Sequence, residues 1–324
     1  MHNCHAINSC SDKPLVSAII PTRNRPEKAC RAARSALCQT YKNLEVVVVV
    51  DGPDLKTIEA LASLDDARLR VIDLAVNVGG SEARNVGIRE SRGSFIALLD
   101  DDDESMPDKI EAQYTALVHS DFQNPIVVCN YIRHKRTYTL VRVRAPRPDE
   151  AICDYMFYSD CLFKSYLNHL PVTDCYLASR EVFLETPFTA NLPNHQDWDW
   201  LLRAMSNPAR RMVVVPQSLV LVHADASNDS VSMSTGWRTS LDWIDTVKYL
   251  FTPRSYCGFI TEVCMRRIAA FKGRFHIFAF LLQRCRKSGD LTLLQLVVAG
   301  KWFLLAPPLR RSKIVHALFQ IFGL

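Results

Sequence analysis

Five consecutive valines, Val46 to Val50, constrain the fold more than any other feature of this chain. Successive β-branched side chains point to opposite faces of a strand, so this run predicts a central strand buried on both sides. It ends abruptly at Asp51-Gly52-Pro53-Asp54, a turn. A second apolar run, Val16 to Ile20, stops at Pro21, and Pro26 then sits where a first helical turn tolerates it. Behind Pro26, Ala29, Ala32, Ala33, Ala36 and Leu37 recur at helical spacing. The alternation continues with a helix over 55–64, a strand over 70–73, a helix over 81–91 opened by Gly79-Gly80, and a strand over 95–99. This order predicts a mostly parallel α/β sheet, and such sheets bind ligands beyond the carboxyl ends of their strands.

After Pro107 the pattern loosens. Strands are expected over 126–132 and 138–143, then a loop rich in Pro and Arg over 144–148. A helix is expected to begin near Asp197 and carry Trp198, Leu201, Leu202 and Met205, followed by short strands over 212–215 and 219–222. Charge marks a boundary near residue 245: from Thr246 onward 13 Lys/Arg face only Glu262 and Asp290. The remainder is acidic, so the two parts are expected to meet different neighbours. The chain is read as a flexible N-terminus (1–13), a catalytic domain (14–245) and a basic, apolar helical region (246–324). At 324 residues and 48% hydrophobic it is too apolar for a disordered protein.

The 11 cysteines form no C-x-x-C pair, and a chain of this length needs no disulfide framework, so reduced cytosolic thiols are expected. His2, Cys4, His5 and Cys10 match no standard zinc spacing and are read as part of a frayed terminus. No basic segment followed by an apolar one opens the chain, so a cleaved signal peptide is not expected.

Four consecutive carboxylates, Asp100 to Asp103, directly follow the strand at 95–99. Like charges so placed repel unless cations compensate them. Hard oxygen ligands suit Mg²⁺ or Mn²⁺, which one or two carboxylates hold together with substrate phosphates. The other reading is a solvated acidic turn before the next helix.

These residues carry a resemblance. The stretches VSAIIPTRNRPE (16–27), VVVVVDGPD (46–54), NVGGSEARNVGIRESRGSFIALLDDDDESMPDKIE (77–111) and HQDWDWLLR (195–203) are similar in order and spacing to the family 2 inverting glycosyltransferases. The resemblance implies the GT-A fold and a nucleotide-sugar donor. It implies that Thr22, Asp51 and Arg84 contact the nucleoside and phosphates, and that Asp100 or Asp101 faces the ribose or sugar. It makes Asp102 the metal ligand of a D-x-D element, with Asp103 a helix cap or a support. The chain departs from the family pattern at Val50 and Pro53, and at Gln196, where the family has glutamate before its catalytic aspartate.

The resemblance places Asp197 as the base that takes the acceptor hydroxyl's proton in an inverting transfer. Asp199, two residues on, points away on a helix and is expected to pair with Arg203. Both aspartates also suit a helix N-terminus on dipole grounds alone. His223 resembles a position near the diphosphate or metal, and is equally readable as structural; Trp237 and Trp243 are core residues or sugar platforms.

In the tail, the apolar stretch 291–306 is broken by Lys301 and is too short to span a bilayer. With its positive charge it is expected to lie on an anionic membrane surface, the alternative being a packed helical subdomain. The expectation is a metal-dependent hexosyltransferase using a nucleotide sugar, most simply a UDP-hexose, on a glycan or lipid-linked acceptor in polysaccharide synthesis. It would be cytoplasmic and peripheral at the inner face of the cell membrane, with no nucleic-acid partner. The competitors are a sugar nucleotidyltransferase, disfavoured because Pro21-Thr22-Arg23-Asn24 is no Gly-rich phosphate loop, and a non-catalytic membrane-associated assembly protein.

Overall fold

A computed structural model describes residues 13–159, 169–224, 236–268, 274–289 and 291–304. The N-terminal metal candidates and residues 305–324, with the end of the apolar stretch at 291–306, lie outside the described residues. Contacts divide the chain into two compact units. The first comprises Met1–Ala145, His169–Leu192 and Gln196–Ser227; the second comprises Pro146–Asn168, Pro193–His195 and Asn228–Leu324.

The first unit is built on one sheet. Strands β1 (Val16–Thr22), β2 (Leu44–Val50), β3 (Leu69–Asp73) and β4 (Phe95–Leu98) run parallel in the order β3-β2-β1-β4. The crossovers are α1 (Pro26–Leu37), α2 (Leu55–Ala62) and α3 (Gly80–Glu90). The valine run is fully buried, as its composition requires: Val46, Val48 and Val50 join Ala18 and Ile20 in a core with Ala29, Ala32, Ala33 and Ala36 of α1. The opposite face takes α3. Gly87 lies so close there that a Cβ would stand 2.6 Å from Ile19 Cγ2 and 3.0 Å from Val49 Cγ2.

Beyond β4 the sheet becomes mixed, with β5 (Glu104–Ser105), β6 (Ile126–His134), β7 (Tyr138–Val141), β8 (Leu177–Ser179) and β9 (Met212–His223). Antiparallel β8 joins β4 to β6, β9 runs parallel to β6, β5 closes the far edge and β7 pairs with β6. Helices α4 (Lys109–Val118), α6 (Arg180–Glu185) and α7 (Gln196–Met205) complete this unit.

Two strands expected around Pro216 are one bulged strand, β9. Its register against β6 shifts between Cys129 and Asn130 and again between Asn130 and Tyr131. Pro216 has no N–H to give the ladder, so a bulge is where it fits. Its carbonyl accepts a 2.6 Å hydrogen bond from Asn130 Nδ2.

The second unit is helical: α5 (Ile152–Phe157), α8 (Trp237–Thr246), α9 (Pro253–Phe259), a π-helical turn (Ile260–Cys264), α10 (Met265–Ile268), α11 (Arg274–Ser288) and α12 (Leu293–Leu304). It takes in α5 and α8, segments that a division at residue 245 leaves with the front of the chain. Phe157, Trp243, Phe251 and Phe259 form an aromatic cluster with ring centroids 5.2–6.3 Å apart. Trp243 and Trp237 are both buried, which makes them core residues rather than open sugar platforms. His195 packs on Trp243 and Phe259 with Nε2 2.9 Å from Ser240 Oγ. Burial pushes its pKa down to about 3, so the ring is neutral.

Gly258 is a tight point in this unit. A Cβ there would run into the Phe157 carbonyl, which is backbone and cannot swing away. Gly258→Ala is therefore expected to destabilise the protein by about 2–3 kcal/mol, the upper range of overpacking costs. Calorimetric or denaturant melting checks this, and an unchanged melting curve would contradict the crossing geometry.

Candidate active site

Strands β1, β2 and β4 end at the same edge of the sheet. Connections leave β1 toward β2 and return from β3 to β4 on its other side, so the chain reverses direction between β1 and β4. A crevice at the carboxyl ends beside such a reversal is where open α/β sheets bind ligands. Thr22, Asp51 and the four aspartates all stand there.

Each aspartate has a different partner. Asp100 accepts from Arg84 Nη2, and its backbone N–H donates to Asp174 Oδ1. Asp101, buried, accepts from Thr22 Oγ1 at 2.8 Å and Arg25 Nη1 at 3.0 Å. Asp102 keeps about a third of its side chain exposed, at 34%, with Arg25 Nη1 at 3.5 Å and Lys28 Nζ at 3.9 Å. Asp103 is buried and accepts from the His223 N–H at 2.8 Å.

Asp103 also meets Asp174, and burial pushes both carboxyls above their usual range, with repulsion from Asp174 adding to the rise at Asp103 and repulsion from Asp100 to that at Asp174. Two adjacent buried carboxylates cannot both ionise cheaply, so the pair holds a proton between them. Lys109, wholly buried, stands near Asp174 and donates to the Leu98 carbonyl at 3.0 Å; burial lowers its pKa.

The other wall is α3 and α7. Arg84 bridges them: one guanidinium nitrogen bonds Asp100 and the other bonds Gln196 Oε1 at 3.0 Å. Gln196 is thus the residue that ties the start of α7 to the aspartate cluster. Asp197 follows, partly open to solvent, with Oδ1 accepting the Trp198 N–H at 2.9 Å. Desolvation, with Asp100 adding repulsion, raises its pKa to about 6 against the pull of Arg84. Asp199 is turned inward instead, accepting from Thr189 Oγ1 at 2.6 Å and Arg203 Nε at 2.9 Å. It anchors α7, and Arg203 is its partner as the spacing predicts.

Asp51 does not point a free carboxylate outward. Its oxygens accept the backbone N–H groups of Val78 (2.6 Å) and Gly79 (2.9 Å), shaping the loop that starts α3. His223 ends β9 with Nε2 2.8 Å from Glu104 Oε1 and its ring 6.0 Å from that of His134.

The structure therefore brings Thr22, Arg84, Asp100, Asp101, Asp102 and Asp197 into one neighbourhood, with His223 joined through Asp103. Sequence reasoning missed Asp174, Lys109, Arg25 and Lys28. Asp174 sits alone in Val-Thr-Asp-Cys, where nothing in the sequence distinguishes it; Arg25 and Lys28 lie within the first matching stretch, at the start of α1. Carboxylates outnumber cations in this cluster, and the oxygens nearest solvent are hard donors. That donor set fits a divalent cation. No group of three His, Cys, Asp or Glu side chains among the described residues is arranged to hold a metal unaided, so a bound diphosphate would have to supply the remaining ligands.

A doubly wound sheet with acidic strand ends at its reversal defines a nucleotide-binding α/β enzyme. Residues 17–183, just over half of the chain, match the model of glycosyl transferase family 2, and the chain belongs to that family. Its fold is the GT-A fold. An uncharacterized glycosyltransferase of Methanocaldococcus jannaschii is 26% identical over 202 residues, covering 60% of this chain and 66% of that protein. One from Rickettsia typhi is 40% identical over 118 residues, 36% of each chain. This chain thus spans between about one third and two thirds of the length of these relatives. Among solved structures, mannosyltransferase PcManGT of Pyrobaculum calidifontis, in complex with GDP-Man and Mn²⁺, aligns with a TM-score of 0.54 at 14% identity over 97% of this chain and 89% of that one. S. aureus TarS 1–349, in complex with UDP-GlcNAc, aligns at 0.52 and 16% identity over 90% and 81%.

Proposed function

We propose that the protein transfers a sugar, with inversion, from a nucleotide-sugar donor to a hydroxyl of a glycan or lipid-linked acceptor in polysaccharide synthesis. The observation that carries this reading is the pairing of Asp197, raised to about 6, with the Asp100–Asp102 edge through the Arg84–Gln196 bridge. A half-buried carboxylate whose pKa is raised to about 6 suits a general base. The acceptor hydroxyl loses its proton to Asp197 as its oxygen bonds the anomeric carbon, and the bond from that carbon to the diphosphate breaks. One displacement by one base inverts the anomeric centre.

Thr22, Asp101 and Arg84 line the donor side, and Asp51 holds the loop over which the nucleoside would lie. Asp102 would hold Mg²⁺ or Mn²⁺ with the donor diphosphate; the cation would supply charge neutralisation on the leaving group. The solved relatives hold GDP-Man with Mn²⁺ and UDP-GlcNAc, which supports a nucleotide-sugar donor, most simply a UDP-hexose. Incubating the protein with a panel of nucleotide sugars and Mn²⁺, and recording donor hydrolysis, tests the reading. Absence of turnover with every donor would contradict it.

We also propose a peripheral place at the cytoplasmic face of a membrane. No helix among the described residues is long and apolar enough to cross a bilayer. Helix α12 instead exposes Leu293, Leu296 and Val297, one side at helical spacing, in the region where cations outnumber acids 13 to 2. Trp302 is not part of that apolar face, because its indole N–H donates to Glu262 at 2.9 Å and Arg266 lies over its ring. The full chain is expected to co-sediment with phosphatidylglycerol vesicles at low salt, and Leu293→Asp with Val297→Asp to weaken this several-fold. Equal recovery with neutral phosphatidylcholine vesicles would contradict the placement.

A further inference from the structure

Between Asp121 and Asp149 the chain has no acidic residue, yet it carries Arg133, Lys135, Arg136, Arg142, Arg144 and Arg147 together with His134. Outside this stretch, the first 245 residues hold twelve more acidic than basic side chains. The basic stretch therefore runs against the charge of its own unit. Most of it is the β6–β7 hairpin, whose strands pair His134 with Tyr138 and Arg133 with Thr139.

The hairpin stands beside the site. His134 is the register partner of His223, whose N–H bonds Asp103, and the His134 carbonyl accepts the Ala224 N–H at 2.7 Å. On β6, Arg133 Nη2 donates to the Tyr131 hydroxyl at 3.0 Å, and burial pushes that phenol up, with Asp197 among the charges near enough to add to it. The outer residues are solvent-facing: Lys135, Arg136 and Arg142 are exposed, and among the described residues no carboxylate pairs with Arg133, Lys135, Arg136 or Arg142. Tyr138, 69% exposed, stacks on His134 at 4.3 Å and presents a flat aromatic face.

We infer that this hairpin binds the acceptor, and that the acceptor is a phosphate-bearing glycan chain. The inference rests on the transferase reading above and names its acceptor class. A single phosphate would engage one or two cations. The segment from Arg136 to Arg142 reaches up to about 20 Å at strand rise, so its cations suit phosphates repeated along a chain. The Tyr138 face suits the apolar side of a sugar ring between them. Unpaired surface cations opposite an anionic partner also speed encounter without being consumed by internal ion pairs.

The test uses the full chain with inorganic polyphosphate as probe, neutral dextran as control, and a variant carrying Lys135→Glu and Arg136→Glu. Both positions are exposed and unpaired, so the fold is expected to persist. Polyphosphate should slow amide hydrogen exchange over residues 131–142, dextran should not, and the variant should bind polyphosphate about tenfold or more weakly, with a shallower salt dependence. UDP binding with Mn²⁺, read by calorimetry, should be the same in both proteins; its failure in both would count against the donor site and leave the polyphosphate readings to judge the hairpin. Protection confined to residues 248–301 would overturn the inference, as would unchanged affinity in the variant. So would a variant that keeps polyphosphate but loses phosphatidylglycerol vesicles, because the hairpin would then be a lipid face.

Discussion

Replacing Asp197 with asparagine is expected to reduce turnover by about two orders of magnitude or more, the scale of a lost general base, while nucleotide binding persists. Asparagine keeps the shape and the 2.9 Å acceptor contact to the Trp198 N–H but cannot take a proton at neutral pH. The wild-type pH profile should show the same group. With its pKa raised to about 6, Asp197 is protonated and idle below that value, so kcat should rise with pH through about 6 and level above it. The asparagine variant should lose this acid limb. Asp199→Asn should behave differently: it removes the charge that Arg203 pairs with and so weakens the contacts that anchor α7, and a lowered melting temperature is the expected first effect. An active Asp197→Asn with an inactive, well-folded Asp199→Asn would reverse the assignment.

The second large effect is expected at Asp102. Asp102→Asn should abolish the strengthening of UDP binding by Mn²⁺ and reduce metal-supported transfer by about two orders of magnitude or more. Even changes one shell out from a metal cost about 10–100-fold, and this one would remove the proposed ligand. In calorimetry the wild type should bind UDP more tightly with Mn²⁺ than with excess EDTA, and the variant should show no difference. Full transfer by the wild type in excess EDTA would remove Asp102 from the mechanism. The cations already near its carboxylate, Arg25 at 3.5 Å and Lys28 at 3.9 Å, are too distant to replace a coordinated ion.

The front half of the fold was legible because its sequence signals are local. A run such as Val46–Val50 can only be buried on both faces, and the alanines of α1 repeat at helical spacing against it. The strand ends then place Thr22, Asp51 and the four aspartates on one edge with no long-range information. Antiparallel β8 was not legible: Leu177–Ser179 is three residues long and takes its identity from β4 and β6 on either side. Asp174 escaped for the same reason, because its partners Asp100 and Asp103 lie more than 70 residues away. Asp51 shows the converse. Its position was clear, but the backbone of Val78 and Gly79 that engages it is visible only in three dimensions.

The bulge in β9 has a consequence for how this edge of the site can vary. Five steps along β6, from Cys129 to His134, are matched by eight along β9, from Val215 to His223. Register partners face the same side of a sheet, so alternation is interrupted inside the bulge and resumes from Val220, with His134 and His223 paired again on one side. The three surplus residues of β9 fall between Val215 and Val220, Pro216 among them, and set the register that brings the His223 N–H to Asp103. A length change between Val215 and Val220 that the bulge absorbs would leave the His134–His223 pair in register, whereas one passed on as a slip of a single residue would turn the downstream side chains over and carry His223 away from Asp103.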